Sequence, residues 1–209
     1  MVGISDYKYL PKLNNAVNDA KAIKTALLKF GIERKDIVAC FDGASFELFP
    51  AFEKFVAGCH PGDFVIIFFA GHGCAFKNHQ CLLARGMTQP EKLIYNNGNP
   101  QLIMESALKV NTMIAELRHK GVNKHLLLLD CCREFLVKNI PRATTETWKE
   151  GDKKEFNITI GDGTVIAFAT SPGDYASDGD SADQHKGASG HGTNQLSISS
   201  FARAHLSPA

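Results

Sequence analysis

Apolar residues along the chain fall into two rhythms, short runs and spaced stripes. Met1 to Ser5 (MVGIS), Asp36 to Cys40 (DIVAC), Phe64 to Ala70 (FVIIFFA), His125 to Leu129 (HLLLL) and Thr164 to Thr170 (TVIAFAT) are runs of strand length. The last three are nearly continuous, as in strands buried on both faces. Between the runs, Ala16, Ala20, Ile23, Leu27 and Phe30 recur at helical spacing, and Gly31 follows as a stop. Phe49, Phe52, Val56 and Cys59 predict a second helix. Pro50 is expected in its first turn, where a missing N–H costs nothing. Asn111, Ile114 and Leu117 predict a third helix, capped at Asn111 and ending near Gly121. A short extra strand is expected at Cys81 to Ala84, with irregular loops over 89–100, 134–160 and 171–193 and a last helix over 194–206.

Strands and helices alternate, which predicts an α/β fold: a mostly parallel central sheet with helices on both faces, in three layers. A chain of 209 residues is enough for one domain of this kind. In such sheets, ligands bind beyond the carboxyl ends of the strands.

Composition removes several function classes. Twenty-three basic and 22 acidic side chains give a net charge of +1, so no nucleic acid or anionic membrane partner is expected. The longest apolar runs are too short to cross a bilayer. The chain does not open on a basic segment followed by an apolar one, so no secretory signal is expected. The six cysteines are scattered and contain no Cys-x-x-Cys, which reads as reduced thiols in a cytoplasmic protein. Cys59/His60, His72/Cys74 and His79/Cys81 carry ligand atoms but lack the layout of a zinc site, so no metal and no cofactor are expected. The turn Ser5 to Leu10 lacks a glycine-rich phosphate loop, which argues against nucleotide binding.

The carboxyl ends of the predicted strands carry the chemistry. Gly71-His72-Gly73 follows the third, Asp130-Cys131-Cys132-Arg133 the fourth, and Ser171 to Asp180, with Asp174, Asp178 and Asp180, the fifth. A histidine, a thiol pair and several carboxylates therefore share one edge. A thiolate that attacks a carbonyl and an imidazole that delivers the proton to the leaving amine need this combination. The amides of Gly73 and Cys132 are candidates to donate to a tetrahedral oxyanion.

Two runs at this edge, Phe68-Phe69-Ala70-Gly71-His72-Gly73 and Leu128-Leu129-Asp130-Cys131-Cys132-Arg133, resemble the His and Cys motifs of the caspase, metacaspase and paracaspase superfamily. Val2-Gly3-Ile4-Ser5 followed by Leu13 and Asn18-Asp19-Ala20 resembles its first strand and helix, and Ala167-Phe168-Ala169-Thr170 its fifth strand. The resemblance implies a caspase-like fold and a cysteine endopeptidase acting on protein substrates. The family's Asp-x-Cys pattern places the nucleophile at Cys132, beside His72, and leaves Cys131 as a neighbour. It also implies a substrate pocket lined by Asp19, Asp130 and Asp178, three carboxylates that favour arginine or lysine before the cut bond. Cys74 to Cys81 holds no carboxylate, unlike the calcium-binding cluster of many metacaspases, and Cys132-Arg133 is more similar to paracaspases.

By the same resemblance, residues 1–133 correspond to a large subunit, 134–160 to an intersubunit linker and 161–209 to part of a small subunit. The family's last helix and last strand are expected to lie outside this chain, along with the homodimer contact that the last strand makes. A second reading is a catalytically inactive scaffold that pairs with partners.

Overall fold

The computed structural model describes residues 1–76, 79–87, 107–131 and 161–169. Five strands form a sheet in which every pairing is parallel: β1 (Val2–Gly3), β2 (Cys40–Phe41), β3 (Phe64–Ala70), β7 (Lys124–Asp130) and β8 (Thr164–Phe168), in the order β2-β1-β3-β7-β8. Among the described residues, three helices accompany it: α1 (Ala16–Lys29), α2 (Ser45–Ala57) and α3 (Val110–His119). A second, antiparallel sheet is built from β4 (Gly73–Phe76), β5 (His79–Leu82) and β6 (Leu108–Lys109).

The central strands explain the sandwich. Alternate side chains of a strand point to opposite faces. Val65, Ile67 and Phe69 of β3 join Leu48 and Val56 of α2 and Met113, Ile114 and Leu117 of α3 in one core. Phe68 and Ala70 point the other way and pack with Ala16 and Ala20 of α1. Helices thus cover both faces, as the near-continuous apolar run of β3 predicts. Leu127 and Leu129 of β7 are fully buried, and each contributes about 1.5–3 kcal/mol through burial. The close approach of α1 to β1 depends on Gly3: a Cβ there would lie 2.6 Å from the Ala16 carbonyl oxygen and 2.7 Å from the Ala20 Cβ.

Several expectations are corrected. Of the run at 36–40 only Cys40 enters a strand, because Arg34–Asp36 wind into a 3-10 turn and β1 offers just two partners, Val2 and Gly3. Pro50 lies in the interior of α2, not in its first turn. The helix starts at Ser45, where Glu47 Oε2 accepts the Ala44 N–H at 3.0 Å, so the ladder simply lacks one donor at position 50. The third helix begins at Val110, one residue before the expected cap at Asn111. The extra strand at 81–84 is β5, displaced to His79–Leu82. The expected loops at 89–100, 134–160 and 171–193 and the helix at 194–206 lie outside the described residues.

Candidate active site

The register of the two central strands fixes the geometry of the edge. Phe64 pairs with Lys124 and Ala70 with Asp130, so β3 and β7 end level. The ladder reaches one step further: Gly71 N–H donates to the Asp130 carbonyl at 3.1 Å. The turn that carries His72 and the end of β7 at Asp130 therefore lie side by side, on adjacent strands. At the next strand, Ala169 N–H donates to the Leu129 carbonyl at 3.1 Å.

His72 is held by its ring and by its backbone. Its Nε2 lies 2.8 Å from the Pro11 carbonyl oxygen. A carbonyl only accepts, so Nε2 carries a hydrogen, and in the neutral ring Nδ1 then holds the lone pair. The Tyr7 ring sits with its centroid 4.5 Å from that of the imidazole, tilted by 57°. The Tyr7 hydroxyl accepts the His72 backbone N–H at 2.7 Å and donates to the Leu83 carbonyl at 3.0 Å. Leu83 N–H in turn donates to the His72 carbonyl at 3.0 Å. Gly71 makes room for this arrangement, since a Cβ there would lie 2.6 Å from the tyrosine oxygen.

The loop from Ser5 to Asn15, which carries Tyr7 and Pro11, is pinned at several points. Asp42, at φ 50°, turns its carboxylate so that Oδ1 accepts the amides of Ser5 at 2.7 Å and Asp6 at 2.8 Å. Asp6 pairs with Lys12 at 2.7 Å and with Arg85. Hydrogen bonds from Lys12 first and Arg85 second hold the Asp6 carboxyl below the usual carboxylate range. Arg85 Nε also donates to the Asp6 carbonyl at 2.9 Å, and Ser5 Oγ accepts the Val17 N–H at 3.0 Å, which ties the loop to α1.

Of the candidates named from sequence, His72, Gly73 and Asp130 stand at this edge. Gly73 opens β4, opposite Leu82, and Asp130 closes β7, partly buried. Asp19 is exposed in the first turn of α1. That turn lies at the same end of the sheet, because Ala16 and Ala20 pack on Ala70. Cys132 and Asp178 lie outside the described residues. Cys131 is fully buried, and Gln80 Nε2 donates to its Sγ at 3.7 Å, so it is a packing thiol.

His125 lies at the other end of β7. It is buried, with Nδ1 2.8 Å from Thr164 Oγ1 and Nε2 2.9 Å from the Val122 carbonyl, and burial pushes its pKa down. It is a structural histidine. Among the described residues no three His, Cys, Asp or Glu side chains are grouped to hold a metal ion, and no helix is long and apolar enough to cross a membrane.

Sequence reasoning missed Tyr7, Pro11 and Leu83. The only signal was an aromatic-bearing polar loop after the first strand. Nothing in composition separates Tyr7, which is buried, from Tyr9, which is 47% exposed.

A family model described as the caspase domain matches residues 1–199. No curated protein matches the chain. With that match over nearly all of its length, on a parallel sheet whose edge carries His72 beside the strand of Asp130, the chain belongs to the caspase-domain family of peptidases.

Proposed function

We propose that this chain is the catalytic domain of a cysteine endopeptidase that cuts after arginine or lysine, with His72 and Cys132 as its dyad. The observation that carries the reading is the state of His72. Its Nε2–H faces the Pro11 carbonyl at 2.8 Å, which supports Nδ1 as the proton carrier in this reading. His72 stands two residues past Ala70, Asp130 pairs level with Ala70, and in sequence Cys132 follows Asp130 by two residues.

In this reading the Cys132 sulfur, its proton passed to Nδ1, adds to the scissile carbonyl. The amides of Gly73 and Cys132 bind the resulting oxyanion. Nδ1–H then protonates the departing amine, leaving a thioester on Cys132. A water molecule gives its proton to Nδ1 and attacks the thioester, which releases the acid product and restores the thiol. Asp19, Asp130 and Asp178 supply negative charge for a cationic side chain before the cut bond. An aspartate there would meet like-charge repulsion of several kcal/mol. The run Cys74 to Cys81 has no carboxylate, which favours a paracaspase-like subfamily. A cytoplasmic setting fits the cysteine usage.

Fluorogenic peptides ending in Arg, Lys or Asp test the proposal, with an arginine-directed covalent probe to identify the nucleophile. The expected result is turnover of the basic peptides, labelling of Cys132, and loss of both in Cys132→Ala but not Cys131→Ala. Labelling of Cys131 refutes the site assignment. Turnover of the aspartate peptide alone refutes the acidic pocket, and no turnover or labelling at all leaves the scaffold reading in its place.

A further inference from the structure

We propose that Tyr7 is a positioning residue for His72, its hydroxyl holding the histidine backbone while its ring sets the plane of the imidazole. The inference rests on the reading of His72 as the proton carrier of the dyad, and deepens it.

His72 needs external support. It lies past the end of β3, between two glycines, in a segment with little stiffness of its own. Proton transfer demands placement to within about 0.5 Å. The loop after β1 supplies that placement from two directions: the Pro11 carbonyl takes Nε2–H, and the Tyr7 ring lies against the imidazole at 4.5 Å.

The hydroxyl shows that Tyr7 does more than fill space. Tyr7 is 2% exposed, and a phenylalanine would pack the same volume. A buried hydroxyl is unfavourable unless paired, and this one bonds the histidine turn itself and the residue after β5 that holds that turn. One is the N–H of His72 and the other is the carbonyl of Leu83, whose own N–H holds the His72 carbonyl. The two backbone groups of His72 are therefore fixed, one through Tyr7 and one through Leu83. Gly71 is matched to the same oxygen, because any larger residue would displace it. Tyr9, two residues on, is half exposed and lies near Lys8 with no such role.

The test compares the wild-type chain with Tyr7→Phe and Tyr7→Leu, using isotope-labelled histidine and an arginine-ended fluorogenic peptide. In the wild type the neutral His72 ring should give nitrogen shifts of a single Nε2–H form. Tyr7→Leu should move them toward the average of the two tautomers. Tyr7→Phe, which loses only the oxygen, should lower kcat about tenfold while KM stays within about threefold. Tyr7→Leu should lower it further. A loss of folding stability alone would reduce the amount of active enzyme without moving the ring shifts. If Tyr7→Phe does not fold, fluorotyrosine at position 7 keeps the shape, weakens the acceptor, and should lower kcat in the same direction.

Wild-type ring shifts in both variants, with unchanged kcat, overturn the proposal. A wild-type chain that turns over no peptide and is labelled at no cysteine overturns the peptidase reading instead. The ring nitrogens still judge the Tyr7 contact in that case.

Discussion

Gly71→Ala puts one methyl group where the site has no room. The new Cβ would lie 2.6 Å from Tyr7 Oη and 2.9 and 3.2 Å from two carbons of the Phe69 ring. Neither neighbour is a free end. The tyrosine oxygen is bonded to His72 and Leu83, and Phe69 is fully buried in the sheet core. Forcing an extra carbon into such packing costs about 1–3 kcal/mol. If the tyrosine yields, two hydrogen bonds go with it, at about 1 kcal/mol each. The sum is about 3–5 kcal/mol, which for a chain of this size lowers Tm by roughly 6–20 °C. Gly58→Ala is the control: its nearest neighbours would lie at 3.6 and 3.7 Å, and its φ of −80° suits any residue. That variant should stay within about 1 kcal/mol of wild type. Thermal melts followed by circular dichroism, with peptide turnover on the same samples, give the comparison. If Gly71→Ala melts with Gly58→Ala and keeps full turnover, the steric argument and the account of the histidine turn are both wrong.

Three further outcomes are expected. Asp6 is held below its ordinary value of 3.8, so its contribution to stability is present above that value and lost as pH falls through the depressed one; melts of Asp6→Asn should lack this acid dependence. His125 is depressed below 6.5 by burial, so stability should be intact above that pH and decline below it, as the folded state resists the proton that the unfolded state takes up. His125→Gln should melt lower at neutral pH, by about 1–3 kcal/mol for its lost hydrogen bonds, with a weaker acid slope and unchanged turnover per folded molecule. Finally, intact mass spectrometry over time should show wild-type protein cut within 134–160, at Lys138, Arg142, Lys149, Lys153 or Lys154, and Cys132→Ala uncut; equal masses in both would count against self-cleavage.

Much of the frame was legible in the sequence because burial on both faces leaves an unbroken apolar run. The run at 64–70 coincides with β3, 125–129 lies within β7, and the stripe from Ala16 runs one residue past the end of α1. The short strands were not legible. β4 holds Gly73 and Cys74 and β6 is two residues long, so neither sets up a period, and their pairing across the chain decides them. The end of α2 was visible from Cys59 backwards, but Pro50 hid its start, since local propensity opposes proline inside a helix and tertiary packing of Leu48 and Val56 overrides it. At the site, His72 was readable from strand order. The groups that fix it were not, because a backbone carbonyl such as that of Pro11 has no residue signature and Tyr7 becomes special only once Gly71 is beside it.

Two cysteines in tandem suggest redundancy, with one thiol ready to stand in for the other. The burial of Cys131 beneath Gln80 removes that spare. To bring Cys131 outward, β7 would have to slip by one residue against β3, and the same slip would turn Leu127 and Leu129 out of the core. Choice of thiol and integrity of the sheet are thus a single decision. With Cys132 as the proposed nucleophile, moving that role back by one position would require rebuilding the strand that ends at Asp130.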